Sequence, residues 1–496
     1  MHGHEKSDRP VVPANPPNKA GVPAAEAGEG SGLGKENADS KTHPGHRADL
    51  SAQSALDRVR RVAKQDREAR FTSLLHHVDV DRLRAAYWAL NPKAATGVDG
   101  VTWQDYGEDL EVNLRDLHAR VHRGAYRARP SRRVYIPKAD GRQRPLGVAA
   151  LEDKLLQRAV VEVLNAIYET DFLGLSYGFR PGRSPHHVLD ALAAGVTRKK
   201  VNYVLDADIR GFYDSIDHGW MLKFLEHRIA DKRILRLIRK WLKAGVIENG
   251  EWSETMEGTA QGASVSPLLS NVYLHYVFDL WADQWRRRHA HGDVVIVRFA
   301  DDYIVGFEHE RDARRFLADL RSRLAEFGLE LASEKTRLIE FGRFAAERRA
   351  ERGLGKPETF GFLGFTHICG KTRNGRFQLK RITEAKRLRA KLHKLKTELR
   401  RRMHLPIPEQ GQWLGKVVRG HLNYYAVPGN NEAVKTFRDQ ATRHWYRALR
   451  RRSQRVSLDW EEMHRLAQRW LPPIRILHPW PDARFDARIQ ARSPVR

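Results

Sequence analysis

The sequence predicts a mixed α+β fold followed by a basic, all-helical region, on three observations. Short stretches with two-residue alternation or dense β-branched residues sit between turns, as at residues 203–209 and 294–307. Longer stretches repeat apolar residues at four-residue steps, as in Leu155, Ala159, Val163 and Ile167. After residue 380 the strand signal fades, and Leu388, Leu392, Leu395 and Leu399 form one helical stripe with Lys and Arg opposite.

A chain of 496 residues, 41% hydrophobic and 9% aromatic, can build two or three domains with cores. The 88 Lys and Arg against 61 Asp and Glu leave a net +27, a charge that attracts polyanions and above all nucleic acid. Residues 381–496 hold 27 Lys and Arg against 10 Asp and Glu, a net +17, so most of the excess lies in the helical region. The single cysteine, Cys369, excludes a disulfide framework and a cysteine zinc site. No apolar run approaches the roughly 20 residues of a membrane span, and residues 1–10 carry no secretory core. The expected setting is the cytoplasm, without a membrane partner.

Residues 1–50 are rich in Pro, Gly, Ala and Ser and read as a disordered tail. Its Gly34-Lys35 pair is no phosphate loop, because Glu29 stands where the first glycine belongs, and His2, His4, His43 and His46 read as adventitious metal catchers. Helix is expected over 56–90, closed by Asn91-Pro92. A turn-rich stretch fills 95–100, and 132–147 forms two short strands around Ala139-Asp140-Gly141. Helix follows over 151–168. In the strand at 203–209, Tyr203, Leu205, Ala207 and Ile209 share one face and Val204, Asp206 and Asp208 the other. Further helices are expected over 219–242 and 311–328. A tight hairpin turns at Ala300-Asp301-Asp302; a strand at 360–365 and a hairpin about Asn374-Gly375 complete the β signal.

Two acidic features carry chemistry. Asp208 lies on the polar face of its strand, and Asp301-Asp302 tip a hairpin whose arms are Val, Ile and Phe. An Asp pair in a turn is ordinary by itself, since Asp favours turns. At a hairpin tip, however, adjacent carboxylates repel unless a cation sits with them. Mg²⁺ prefers such carboxylates together with substrate phosphate oxygens. Two Mg²⁺ ions held by aspartates suit in-line phosphoryl transfer, one at the attacking 3′-hydroxyl and one at the leaving pyrophosphate.

The segments V-L-D-A-D-I-R-G-F-Y-D-S-I-D (204–217), Q-G-A-S-V-S-P-L-L-S-N (261–271) and F-A-D-D (299–302) stand in the order of polymerase motifs A, B and C. Upstream lie I-P-K-A-D-G-R-Q-R-P-L-G-V (136–148) and Y-G-F-R-P-G-R-S (177–184). Downstream lie S-E-K-T (333–336), F-L-G-F (362–365) and G-H-L-N-Y-Y (420–425). Together, over roughly residues 55–470, the chain resembles the bacterial group II intron-encoded reverse transcriptases and maturases. The resemblance implies a right-hand polymerase, with fingers and an antiparallel-sheet palm over 51–370 and a thumb and maturase domain X over 371–496. It implies Asp208 and Asp301 as Mg²⁺ ligands with Asp302 supporting, and Tyr213 as the aromatic gate against a ribose 2′-hydroxyl. It places Gln261 and Gly262 on the floor of the nucleotide pocket, Lys138 and Arg144 on the triphosphate, and Lys335 as a proton donor to pyrophosphate.

The implied activity is RNA-directed DNA synthesis from dNTPs on an RNA template with a DNA primer. The implied partners are group II intron RNA, whose splicing the chain assists, and target DNA reached at the nucleoid. Arg400, Arg401, Arg402, Arg450, Arg451 and Arg452 flank Trp413, Tyr424, Tyr425, Trp445 and Tyr446, a mixture of cations and rings that suits RNA. Phe299 stands in place of the family's usual tyrosine, and Ala263-Ser264-Val265 is more polar than the usual loop. With Cys369 alone, a DNA-cutting domain built on paired cysteines is not expected, so the resemblance is to the endonuclease-less form. The competing expectations are an RNA-binding splicing factor with little polymerase activity, and a defence or diversity-generating reverse transcriptase.

Overall fold

The computed structural model describes residues 46–137, 143–372, 374–452 and 458–490. The strands in chain order are β1 (Ser131–Pro137), β2 (Gln143–Val148), β3 (Tyr203–Asp208), β4 (Val246–Glu248), β5 (Glu251–Ser253) and β6 (Val294–Phe299). They continue as β7 (Asp302–Phe307), β8 (Arg337–Glu340), β9 (Phe360–Phe362), β10 (Phe365–Lys371) and β11 (Phe377–Thr383). Among the described residues they form sheets ordered β2-β1-β4-β5, β6-β7-β3-β8 and β11-β10-β9. After β11 the chain is helical, through Ala385–Arg401, Ile407–Tyr425, Asn431–Arg450, Trp460–Trp470 and Pro481–Gln490. The class is therefore the mixed α+β fold with a helical continuation that the patterning predicts. Among the described residues no helix is long and apolar enough to cross a membrane.

The β6-β7-β3-β8 sheet has a core on each side. Leu205, Ala207, Ile296, Tyr303, Val305 and Phe307 pack into the larger cluster, with helices Leu151–Asp171 and Ser266–Leu274. Val204, Val297, Ile304 and Ile339 face the other way, against helix Pro185–Arg198 and the β9–β10 hairpin. Cross-strand register puts Asp208 opposite Asp302, Asp206 opposite Ile304 and Arg337, and Val204 opposite Gly306 and Ile339. One face of the sheet thus runs from apolar and covered at one end to acidic at the other.

Several boundaries differ from the periodicity, each for a local reason. The run 56–90 is three helices: His46–Gln65, a short 3₁₀ turn Leu75–His77, and Val80–Trp88. Asp66 accepts from the Glu68 amide at 2.9 Å after the first, and Asp79 caps the last by accepting from the Arg82 amide at 2.7 Å. Likewise 219–242 splits into His218–Glu226 and Lys232–Leu242, because Asp231 accepts from the amides of Arg233, Leu74 and Leu75. The expected strand 360–365 is a hairpin instead: Leu363 (φ 48°) and Gly364 (φ 78°) turn the chain and pair Phe362 with Phe365. Residues 46–50 already belong to the first helix. The tail expectation for 1–45, with His2, His4 and His43, and the turn Ala139-Asp140-Gly141 lie outside the described residues.

The helical region has its own core of Leu395, Leu399, Leu414, Val418, Leu422, Phe437 and Trp445. Trp445 is wholly buried and donates to Gln410 Oε1 at 3.1 Å, so this ring is core and not an RNA platform. Asn430 ties the region to β11, accepting from the Thr383 amide at 3.0 Å and donating to the Tyr425 carbonyl at 2.8 Å. Farther on, helix Pro481–Gln490 returns to helix Pro185–Arg198. There Arg198 pairs with Asp482 and Asp486, each at 2.8 Å, and Arg484 reaches Asp190 at 3.0 Å.

His421 is 5% exposed in this region, its ring 3.7 Å from that of Phe437. Burial, with Lys391 adding repulsion, pushes it down from 6.5 to about 3. It is neutral when folded but protonates when unfolded below the ordinary histidine range. Its contribution to stability is therefore full above pH 6.5 and is lost as pH falls toward about 3. Asp153 and Asp171, raised to about 6 by burial, act in the opposite sense, so a difference between variants isolates the histidine. His421→Phe should gain on the parent below pH 6.5, by up to about 1.4 kcal/mol per pH unit. Urea midpoints at about pH 7.5 and about pH 5.5 read the gap, and a gap that does not widen contradicts the buried neutral histidine.

Candidate active site

Alternation along β3 and a two-residue connection between β6 and β7 build the site. Asp208 ends β3 and Asp302 begins β7, directly opposite one another, and Phe299 pairs with Asp302 from the other side. Ala300 and Asp301 form the turn, with Ala300 in the left-handed region at φ 56°. Burial, then the charge of Asp208, raises the Asp301 carboxyl, while Arg144 and Lys335 pull it back. The protein packed around Asp302, then Asp301 and Asp208, push its carboxyl up to about 7, although the residue keeps an exposed edge. Asp206, on the same face, is raised to about 6 by burial and pairs with Arg337 at 3.6 Å. The end of this sheet therefore holds more negative charge than its surroundings solvate.

The nearest cation is Lys335, whose ammonium pairs with Asp208 Oδ2. Its loop is bound to the strand through the Ala332 amide, which donates to the Asp208 carbonyl at 2.9 Å. Tyr213 lies in the 3₁₀ turn Phe212–Asp214 just after β3. Burial, then the nearby Asp301 charge, holds its phenol far above the usual range, while Ser270 and Arg144 oppose the shift. Arg144 projects from β2 opposite Ile136. The Gln261 carbonyl accepts from the Gly147 amide at 2.8 Å, and Gly262 crosses β2 at φ 115°, where a Cβ would lie 3.0 Å from the Gly147 carbonyl. Asp208, Asp301, Asp302, Lys335, Tyr213, Arg144, Gln261 and Gly262 thus gather around the junction of two sheets. Lys138 lies outside the described residues.

The donor set at the sheet end is all carboxylate oxygen, which suits a hard divalent cation. The repulsion that raises Asp301 and Asp302 is what such a cation relieves. Among the described residues no group of three or more His, Cys, Asp or Glu side chains is arranged as a metal cage.

In the helical region, Arg400, Arg401, Arg450 and Arg451 are exposed, and Arg402 and Arg452 are half-buried. Arg401 pairs with Glu398 at 3.2 Å, Arg402 lies over the Trp413 ring at 4.8 Å, and Arg450 lies over Tyr446 at 5.7 Å. Tyr424 and Tyr425 are half-buried against Phe365 of β10, and Tyr424 donates to the Leu363 carbonyl at 2.8 Å. Their ring faces serve the join between the hairpin and the helices.

Sequence reasoning missed the support beneath the turn. Arg298 has no solvent exposure and is paired with Asp279 at 2.6 Å, with Asn271 and Ser176 alongside. The available signal was a lone charge inside the apolar run V-V-I-V-R-F.

With this geometry in view, the comparisons define the class. Residues 136–367 match the family model for reverse transcriptase (RNA-dependent DNA polymerase), and this stretch of the chain is a reverse transcriptase domain. Intron-encoded proteins are among those it is similar to. The chain is 33% identical over 222 residues to the group II intron-encoded protein LtrA of Lactococcus lactis subsp. cremoris, covering 44% of this chain and 37% of LtrA. It is 40% identical over 196 residues to protein YkfC of Escherichia coli, covering 38% of this chain and 51% of YkfC. It is 26% identical over 306 residues to the putative COX1/OXI3 intron 1 protein of Saccharomyces cerevisiae, covering 52% of this chain and 36% of that protein. The alignments span about half or less of the length of these relatives.

Proposed function

We propose that the chain is an RNA-directed DNA polymerase that also binds a group II intron RNA and assists its splicing and mobility. The observation that carries the reading is the acidic end of the β6-β7-β3-β8 sheet, within a reverse transcriptase domain. Asp208 and Asp301 would hold Mg²⁺, with Asp302 supporting. When bound, two such ions supply activation of the 3′-hydroxyl and neutralisation of the pyrophosphate. The protein's own groups do the remainder. Arg144 and Lys138 hold the triphosphate, as a fork and a point charge. Gln261 and Gly262 shape the floor of the pocket against β2. Tyr213 fills the space of a 2′-hydroxyl, and Lys335, already beside Asp208, can donate a proton toward pyrophosphate.

We assign fingers and palm to 51–370 and thumb with maturase domain X to 371–496, joined by the β10–β11 hairpin that crosses this limit. The net +17 of residues 381–496 supports RNA as the partner of the second part. Arg400, Arg401, Arg402, Arg450, Arg451 and Arg452 are the proposed grip, with Tyr424 and Tyr425 bracing it. Template RNA with a DNA primer, dNTPs and target DNA complete the partners. The place of action is the cytoplasm, at the nucleoid when DNA is the target. A splicing factor with little polymerase activity is disfavoured, because the aspartates, Tyr213 and Arg144 still lie within electrostatic reach of one another.

Asp301→Ala should lower extension of a DNA primer on an RNA template by more than about 100-fold and leave RNA affinity near the parent's. Equal extension by both proteins sinks the metal-ligand assignment. Tyr213→Ala should raise the ratio of ribo- to deoxynucleotide incorporation by about tenfold or more, and an unchanged ratio removes Tyr213 as the gate.

Replacing Arg450, Arg451 and Arg452 together with Gln should weaken binding to a structured intron RNA more than it slows extension of a simple primed template. The plot of log affinity against log salt should flatten by about 0.7–0.9 for each phosphate that the variant no longer neutralises. Affinity and slope identical to the parent's would place the grip elsewhere.

A further inference from the structure

The acidic turn is built from residues that do not prefer it. Ala300 has a Cβ yet takes φ 56°, and two carboxylates follow it directly. What lies beneath the turn is one guanidinium. Arg298 Nε donates to Asp279 Oδ1 at 2.7 Å and Nη2 to Asp279 Oδ2 at 2.6 Å. Nη2 also donates to Ser176 Oγ at 2.8 Å, and Nη1 donates to Asn271 Oδ1 at 3.0 Å and to the Ala300 carbonyl at 2.8 Å. Every N–H of the arginine fork is thereby used, and one of them ends on the turn itself.

The same turn is pressed from a second side. Asn271 donates to the Gly178 carbonyl at 2.8 Å, and Gly178 lies so close that a Cβ there would sit 2.3 Å from the Ala300 amide nitrogen. The main chain of 175–177 pairs with Arg298, through its amide to the Leu175 carbonyl and its carbonyl from the Tyr177 amide, each at 2.9 Å.

We propose that Arg298, oriented by Asp279 and Asn271, is the positioning residue of the Asp301-Asp302 turn, and that Gly178 is the stop against which it holds that turn. Arg298 touches no substrate in this role. It sets where the Ala300 carbonyl lies and so where the next two carboxylates point. A single ammonium could still neutralise Asp279, but it could not reach all four partners in the plane of a fork. The catalytic consequence rests on the polymerase reading above; the positional consequence does not.

The test compares Arg298→Lys with Gly178→Ala, which disturb the turn at the Ala300 carbonyl and at the Ala300 amide, the second with the ion pair intact. Hydrogen exchange of the peptide covering 299–303 should quicken by about tenfold or more in each variant, while helix Ala385–Arg401 exchanges as in the parent. In single-nucleotide primer extension, normalised to active sites, kcat should fall about 10- to 100-fold while KM for the dNTP stays within about threefold. A merely structural role would lower the active fraction and quicken exchange everywhere, without changing the normalised kcat. Either variant with parental exchange at 299–303 and parental normalised kcat overturns the proposal. Should Arg298→Lys not fold, Gly178→Ala decides alone. If the parent makes no DNA, the polymerase reading fails and the exchange measurement still decides the positional claim.

Discussion

A guanidinium without access to water, Arg298, is the constraint on which the Asp301-Asp302 turn is built. Removing it and Asp279 from solvent costs several kcal/mol per ion, a cost met only when each donor and acceptor is matched. All five donors are matched, by groups on three separate stretches of chain: Ser176, Asn271 with Asp279, and Ala300. Where these stretches meet, one donor of the fork ends on the Ala300 carbonyl, in the turn between β6 and β7. Breaking such a pair from one side costs about 3–5 kcal/mol, a large part of the stability of an ordinary domain.

The same sheet then does two incompatible things on one face. Near Val204 it is covered by helix Pro185–Arg198 and the β9–β10 hairpin and contributes to a core. Two to four residues farther along, that face carries Asp206, Asp208 and Asp302, whose carboxyls crowd one another. An apolar substitution there would relieve repulsion and favour the fold. The acidic end is thus a local instability tolerated by a well-packed remainder, as is common where a site must receive a cation.

Much of this was legible in the chain. Alternation in 203–209 separates Leu205 and Ala207 from Asp206 and Asp208, and the structure sorts them to opposite faces. The β6–β7 hairpin is legible because β-branched arms flank two residues. Less was legible wherever a short polar side chain outcompeted periodicity. Asp66, Asp79 and Asp231 end or start helices inside runs whose apolar spacing continues unbroken. Leu363-Gly364 was hidden because a turn with two positive φ values looks, by composition, like strand. Arg298 and Asp279 were invisible as a pair, since their contact is decided by topology and not by spacing. In the helical region the aromatics read correctly as abundant, but Trp445 belongs to the core, because rings suited to stacking on bases are equally suited to packing on Leu.

The helix Pro481–Gln490, seated on Pro185–Arg198, has a consequence for how the chain is made. Arg198 meets Asp486 across 288 positions of sequence, so a surface finished early in synthesis waits for a helix made 288 positions later. Until then Arg198 lacks both of its carboxylate partners, and Asp190 has Arg381 but not Arg484. Folding is therefore vectorial for the sheets but not for this outer wall, which closes only after the helices from Ala385–Arg401 to Trp460–Trp470 have been made.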